Sequence, residues 1–263
     1  MNGVRLAVTD LTALRSANAR RWAAARPTRN FNSIAKHLVD PAAKARYVVV
    51  SAKTGVPWWF IAVVHERESS QSWSRSLAQG DPWNTVSVHV PAGRGPFHSW
   101  EDAAVDALTE CAPFAAHNKD WLIGGALTML EQYNGLGYFN GPVTKRDGII
   151  VARFPSQPSP YVWAGTDQYK SGKYIRDGVF DPNVIDTQLG CAGLLMAMMA
   201  LDASITFDLA AGPAPPIVPP PIATHVAPSA PPPSPSIAHP AKGSIGAAIA
   251  AALQAILALF KRK

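Results

Sequence analysis

The chain has 263 residues, 48% of them hydrophobic, enough for one core domain of about 200 residues plus an appendage. Its formal net charge of +6 is uneven: no acid follows Asp208, whereas Lys242, Lys261, Arg262 and Lys263 do, so 20 Lys+Arg face 18 Asp+Glu in the remainder. A body so close to neutral lacks the basic footprint of a nucleic-acid-binding domain.

Residues 1–10 contain no apolar run, so no secretory signal peptide is expected and the protein is expected to be made in the cytoplasm. An Arg-rich amphipathic helix is predicted over 11–26, with Asp10 as N-cap and Pro27 as stop. Leu11, Leu14, Trp22 and Ala25 share its apolar face, which Asn18 interrupts. Helices follow over 31–39 and 42–54. Gly55 and Pro57 introduce the next one, and the run from Trp58 to Val64 has no polar face, so 56–68 should be a buried central helix. It ends in Glu66-Arg67-Glu68-Ser69-Ser70.

Residues 72–98 are rich in Gly and Pro, and Val86-Ser87-Val88-His89-Val90 alternates like a short strand or hairpin arm. Helical patterns resume over 100–111 and 121–133. The stretch 146–181, with many aromatics and glycines, is expected to be mostly loop, and a last core helix spans 191–200. Cys111 and Cys191 are too few for a disulfide scaffold, lack metal spacing and are expected as buried free thiols. No internal repeat is visible.

Composition changes after Gly212. Residues 213–240 hold 12 of the 24 prolines, which favours an extended polyproline spacer. Beyond it, Ile245, Ile249, Leu253, Ile256, Leu257 and Phe260 form a bulky stripe ahead of Lys261-Arg262-Lys263. An apolar helix with a cationic end suits an anionic bilayer surface. The expected organisation is a catalytic domain over 1–212, a proline-rich linker over 213–243 and a membrane-interacting helix over 244–263.

Glu68 is the leading candidate for chemistry. A carboxyl at the end of an apolar helix loses water, which disfavours its charged form and suits it to hold a proton for general acid catalysis. The plainer alternative is a helix-end Glu paired with Arg67 or Arg75. Other site classes fail. Ser69 stands where a zinc-protease helix needs its second His, Gly135, Gly137 and Gly141 lack dinucleotide-binding spacing, and there is no nucleophile elbow. The seven histidines are scattered, so neither metal nor cofactor is expected.

Four segments carry a resemblance: the Arg67-Glu68-Ser69-Ser70 helix end; Gly80-Asp81-Pro82; Tyr133-Asn134-Gly135-Leu136-Gly137-Tyr138; and Ser159-Pro160-Tyr161-Val162-Trp163-Ala164-Gly165-Thr166. Together, over roughly residues 11 to 205, they resemble lysozyme-like peptidoglycan hydrolases of the phage and prophage endolysin type. A looser likeness extends to goose-type lysozymes and soluble lytic transglycosylases. The resemblance implies a mainly α, lysozyme-like fold with a small β or loop flap beside a cleft. It implies a monomer acting on peptidoglycan, with the bacterial membrane as partner of the tail. It also places the acid just before the Ser-Ser pair, at Glu68. Glu66 lies about 200° round the helix and is the lesser choice, kept by a His-Glu order similar to that of plant-type chitinases.

A hydrolase also needs a base or nucleophile. Asp81 is best placed by sequence, with a turn role before Pro82 as the alternative. Tyr133, Asn134, Tyr138, Tyr161 and Trp163 are candidate substrate-binding residues, because sugar C–H faces stack on aromatic rings while polar groups read hydroxyls and acetamides. A transglycosylase, a chitinase, and a non-catalytic wall-binding or export-assisting protein remain alternatives.

Overall fold

The computed structural model describes residues 11–207, and the chain is mainly helical there. The predicted linker over 213–243 and tail helix over 244–263 lie outside the described residues, as do residues 1–10. In chain order come α1 (Leu11–Ala24), α2 (Asn32–Leu38), α3 (Pro41–Thr54), α4 (Trp58–Ser69), α5 (Trp100–Thr109), a 3-10 turn (Ala115–His117) and α6 (Ile123–Asn134). Strands β1 (Val143–Arg146) and β2 (Ile149–Arg153) follow, then α7 (Pro160–Trp163), β3 (Lys173–Arg176), β4 (Val179–Asp181) and α8 (Cys191–Leu201).

Local chemistry sets the helix ends. Asp40 accepts from the amides of Ala42 and Ala43 (3.0 and 3.3 Å), with Pro41 in the first turn where its missing N–H is harmless. Ser99 caps α5 through the Asp102 amide at 3.1 Å. Gly55, at φ +73°, ends α3 in the left-handed conformation that glycine adopts without Cβ strain, and α4 then leaves at 114° to α3.

α4 is the central helix. Every residue from Trp59 to Glu66 is buried, and α2, α3 and α8 pack around it. α1 lies along α6. Asn18 does not break the packing face of α1, as its polarity suggested, but belongs to it: fully buried, it donates from Nδ2 to Thr128 Oγ1 of α6 at 3.4 Å. A buried amide is tolerated where it has such a partner. Cys111 and Cys191 are free and buried.

One expectation about the flap is corrected and another gains detail. Residues 86–90 form no strand. The amides of Val88 and His89 both donate to Asp81 Oδ2 (2.9 Å each), and Ser87 Oγ donates to the Pro91 carbonyl at 2.9 Å. The backbone donors thus serve a loop carboxylate instead of a neighbouring strand, and Val88 is left 78% exposed. In 146–181, 19 of 36 residues lie outside helices and strands, as expected, but the stretch also holds regular structure the sequence reading did not name. It contains α7 and most of two antiparallel hairpins, β1–β2 and β3–β4, each turning through Asp-Gly. Asp147 (φ +50°) and Gly148 (φ +78°) both adopt the positive φ that a two-residue hairpin turn requires. Arg146-Asp147-Gly148-Ile149 and Arg176-Asp177-Gly178-Val179 are in effect a short repeated turn. The hairpins interlock where the Lys145 amide donates to the Gly178 carbonyl (2.7 Å) and Thr144 Oγ1 to the Phe180 carbonyl (2.9 Å). Tyr138, Tyr174 and Phe180 form their own small core, separate from the main one.

Candidate active site

The last turn of α4 directs three charged side chains to three different places. Glu66 is buried and accepts from Gln71 Nε2 at 2.7 Å; burial raises its pKa above the ordinary carboxylate value. That contact depends on a strained helix exit, because Ser70 (φ +51°) and Gln71 (φ +60°) are consecutive left-handed non-glycine residues that fold the chain back. Arg67 pairs with Asp186 (3.2 Å), donates to the Leu189 carbonyl (3.1 Å) and lies 4.7 Å from the centre of the Tyr161 ring. Glu68, partly buried, accepts from Tyr161 Oη at 2.9 Å.

Tyr133, from the last turn of α6, also borders Glu68. Burial first, and then the negative field of Glu68, push the phenol ionisation of both Tyr133 and Tyr161 well above its ordinary value, so both remain neutral donors. Tyr133 Oη donates to the Leu77 carbonyl at 3.3 Å, tying the loop after α4 to α6. That loop closes against the helix end: Arg75 Nη1 donates to the Gly80 carbonyl at 2.7 Å, and a Cβ on Gly80 would come within 3.9 Å of the Glu68 carbonyl. Two distant motifs, at Tyr133 and Tyr161, therefore border one carboxyl, and the Gly80 loop lies against the backbone of the same residue. Arg67 and Arg75, the pairing partners weighed from sequence, have Asp186 and the Gly80 carbonyl among their partners.

The remaining sequence candidates are placed differently. Asp81 is a buried loop staple, taking two amides at Oδ2 and His89 Nδ1 at Oδ1 (2.6 Å). Burial pushes its pKa up, and the donors from His89 and Val88 outweigh that, leaving it below the usual carboxylate range. Asn134 donates from Nδ2 to Ser159 Oγ at 3.2 Å. Tyr138 is buried in the hairpin core, its hydroxyl accepting from the Tyr174 amide at 3.1 Å. Trp163 is fully buried in the main core. Neither of these two rings presents a face on which a sugar stacks. Aromatic residues in glycine-rich loops suggested sugar binding; here the main core takes Trp163 and the hairpin core takes Tyr138.

His65, which opens the zinc-like pair, is sealed between Trp73 and Trp100 (ring centroids 4.5 and 4.7 Å) and contacts Tyr47 Oη at 2.9 Å. A hollow of about 380 Å³ lined by His37, Asp40, Arg46, Gln71 and Trp73 opens near Glu66 and does not include Glu68. Its polar groups are already committed: Arg46 to Glu101 (2.5 and 3.1 Å), Asp40 to the start of α3, Gln71 to Glu66. The chemistry therefore favours Glu68 over this hollow. Among the described residues no three His, Cys, Asp or Glu side chains gather as a metal site.

Sequence reasoning missed Asp186 and Glu131, and named Ser159 only as the start of a motif. Glu131 had a visible signal, an acid on the apolar face of α6 immediately before the Tyr-Asn-Gly segment.

Asp81→Asn should weaken three hydrogen bonds of one loop. Buried charge-assisted bonds contribute about 1–3 kcal/mol, so Tm should fall by several degrees while any turnover by the folded protein stays within a few-fold. A large loss of turnover at unchanged Tm would instead give Asp81 the water-activating role.

A scan against protein-family models and searches of curated proteins and of solved structures return no match for this chain.

Proposed function

We propose that this chain is a glycosidase of the muramidase type that cleaves the amino-sugar strands of peptidoglycan, with Glu68 as general acid. The reading is carried by one observation: a partly buried carboxyl ends the central helix and holds the Tyr161 hydroxyl at 2.9 Å, beside Tyr133. Cleaving a glycosidic bond requires protonating a poor leaving group, and a side chain fixed in rotamer and shielded from water is suited to deliver that proton. Tyr161 and Tyr133 serve in this account to position the acid.

A second reading, lytic transglycosylation, is favoured by the loop role of Asp81. That route requires no second carboxylate, because the acetamido group of the sugar assists. Both readings predict new glycan ends from purified peptidoglycan. The direct test is incubation with purified peptidoglycan and, in parallel, with chitin, followed by analysis of chain ends. Cleavage of peptidoglycan is expected, cleavage of chitin alone would redirect the assignment, and intact strands in both would overturn it.

The tail belongs to the same proposal on sequence grounds. Truncation after Gly212 should leave cleavage of purified peptidoglycan nearly unchanged, while leakage of anionic liposomes caused by the full-length protein should disappear. Equal leakage by both proteins would remove the membrane role from the tail.

A further inference from the structure

The end of α4 is gripped from outside the helix by Asp186-Thr187-Gln188-Leu189, the segment that leads into α8. A helix leaves its last carbonyls without intrahelical partners. Here the backward turn at Ser70 and Gln71 answers two of them. The Ser70 amide donates to the Glu66 carbonyl at 2.9 Å, and the Gln71 amide to the His65 carbonyl at 3.2 Å. The turn thereby bypasses the Arg67 carbonyl, and among the described residues no backbone amide beyond the helix is bonded to it. Its donor is Gln188, whose Nε2 lies 3.0 Å from the Arg67 carbonyl and 3.3 Å from that of Glu66.

A side-chain amide nitrogen carries two donors, and Gln188 turns one to each carbonyl. Both partners only accept, so the contact itself fixes which end of the Gln188 amide faces the helix. Each carbonyl belongs to a planar peptide unit. The Glu66 carbonyl shares its plane with the Arg67 amide, and the Arg67 carbonyl shares its plane with the Glu68 amide. Gln188 therefore holds the two peptide planes that lead into Glu68.

The backbone of the clamp is fixed without the Gln188 side chain. The Gln188 amide donates to Asp186 Oδ1 at 3.2 Å, and the Leu189 carbonyl accepts from Arg67 Nη1 at 3.1 Å. The next amide, of Gly190, donates at 2.8 Å to the carbonyl of Ala164, the residue that ends α7. One segment thus ties α4 to α7, the two helices whose side chains meet in the 2.9 Å bond from Tyr161 to Glu68.

We propose that Gln188 is a positioning residue for Glu68: by bonding the carbonyls of Glu66 and Arg67, it holds the backbone that aims the Glu68 carboxyl at Tyr161. The kinetic consequence rests on the proposed role of Glu68; the hold on the backbone does not.

A helix cap without this role would change Tm and leave turnover by the folded protein as it was. Misplacing a reacting group by about 1 Å costs up to about 10²-fold in rate. Gln188→Met keeps the length of the side chain and removes both donors. Assayed well below its Tm, it should lose kcat on the order of tenfold, with KM little changed.

The hold is read directly by NMR, because Arg67-Glu68 is the only Arg-Glu pair in the chain and Glu66-Arg67 the only Glu-Arg pair. Labelling with ¹³C-carbonyl arginine and ¹⁵N-glutamate therefore gives one carbonyl–amide signal, from Arg67, and the reverse labelling gives one from Glu66. Both carbonyl resonances are expected to move in Gln188→Met, Arg67 the more, since Glu66 keeps the Ser70 amide. Unmoved resonances would overturn the proposal. Moved resonances with kcat unchanged would reduce Gln188 to a helix cap and overturn it equally. Should Gln188→Met fold poorly, Gln188→Leu makes the same decision. Should the unsubstituted protein cleave no glycan, the proposed function fails, while the two carbonyl signals still decide whether Gln188 holds the backbone.

Discussion

Glu68→Gln should lower glycan cleavage by about 10²- to 10⁴-fold, the contribution typical of a positioned general acid, while Tm changes little. The amide preserves shape and still offers Tyr161 an oxygen acceptor in place of Oε1, but it has no proton of suitable acidity to transfer. Glu66→Gln is the matched comparison. It removes a carboxyl from the same helix turn, one that is buried and bound to Gln71, and should cost much less turnover. Equal losses in the two variants would mean that activity tracks the general integrity of this turn. Near-full activity in Glu68→Gln would remove Glu68 from the chemistry.

The largest stability effect is expected at Asp186. Its side chain is 2% exposed and bridges Arg67 (3.2 Å) and Lys173 (2.7 Å). Arg67 is itself almost fully buried, so Asp186→Ala leaves an uncompensated cation in the interior. Breaking a buried pair in this way costs about 3–5 kcal/mol, which for a domain of this size lowers Tm by roughly 10 °C. Because the Arg67 guanidinium lies over the Tyr161 ring, the variant should also lose activity at temperatures where it is still folded. Burial pushes the Asp186 carboxyl up, but Arg67 and Lys173 outweigh it and hold its pKa below the ordinary range. A depressed folded-state pKa means that this stabilisation is present above the unfolded value of about 3.9 and is lost as pH falls through the folded one. Melting curves at neutral and acid pH check both parts: the gap between the two proteins should narrow in acid. A change of under about 1 kcal/mol at neutral pH, the scale of an exposed pair, would contradict this account of the bridge.

The helices were legible in the sequence because their signals are local. Pro57 and the unbroken apolar run to Val64 define α4, and Asp40-Pro41 and Ser99 start α3 and α5 with side-chain caps. Period alone misled at Val86–Val90, where alternation suggested pairing but the amide partners of residues 88 and 89 come from a carboxylate several residues upstream. Both Asp-Gly hairpins carried the strongest short-range turn signal, masked by the surrounding glycines and aromatics. The arrangement around Glu68 was legible only as four motifs in order, since nothing local says that Tyr161, 93 residues away, reaches that carboxyl. Long-range burial was the least visible property. It turns Trp163 and Tyr138 inward, makes Asp186 a partner of Arg67, and places Glu131 behind α7.

One measurement addresses the central claim, that Glu68 donates the proton which breaks the glycan strand. Purified peptidoglycan is digested with the unsubstituted protein and with Glu68→Gln, and the chain ends are identified by mass spectrometry. The account predicts new reducing ends (or anhydro ends, if the acetamido group takes part) with the unsubstituted protein and almost none with Glu68→Gln. Identical new ends from both proteins, or none from either, would contradict it.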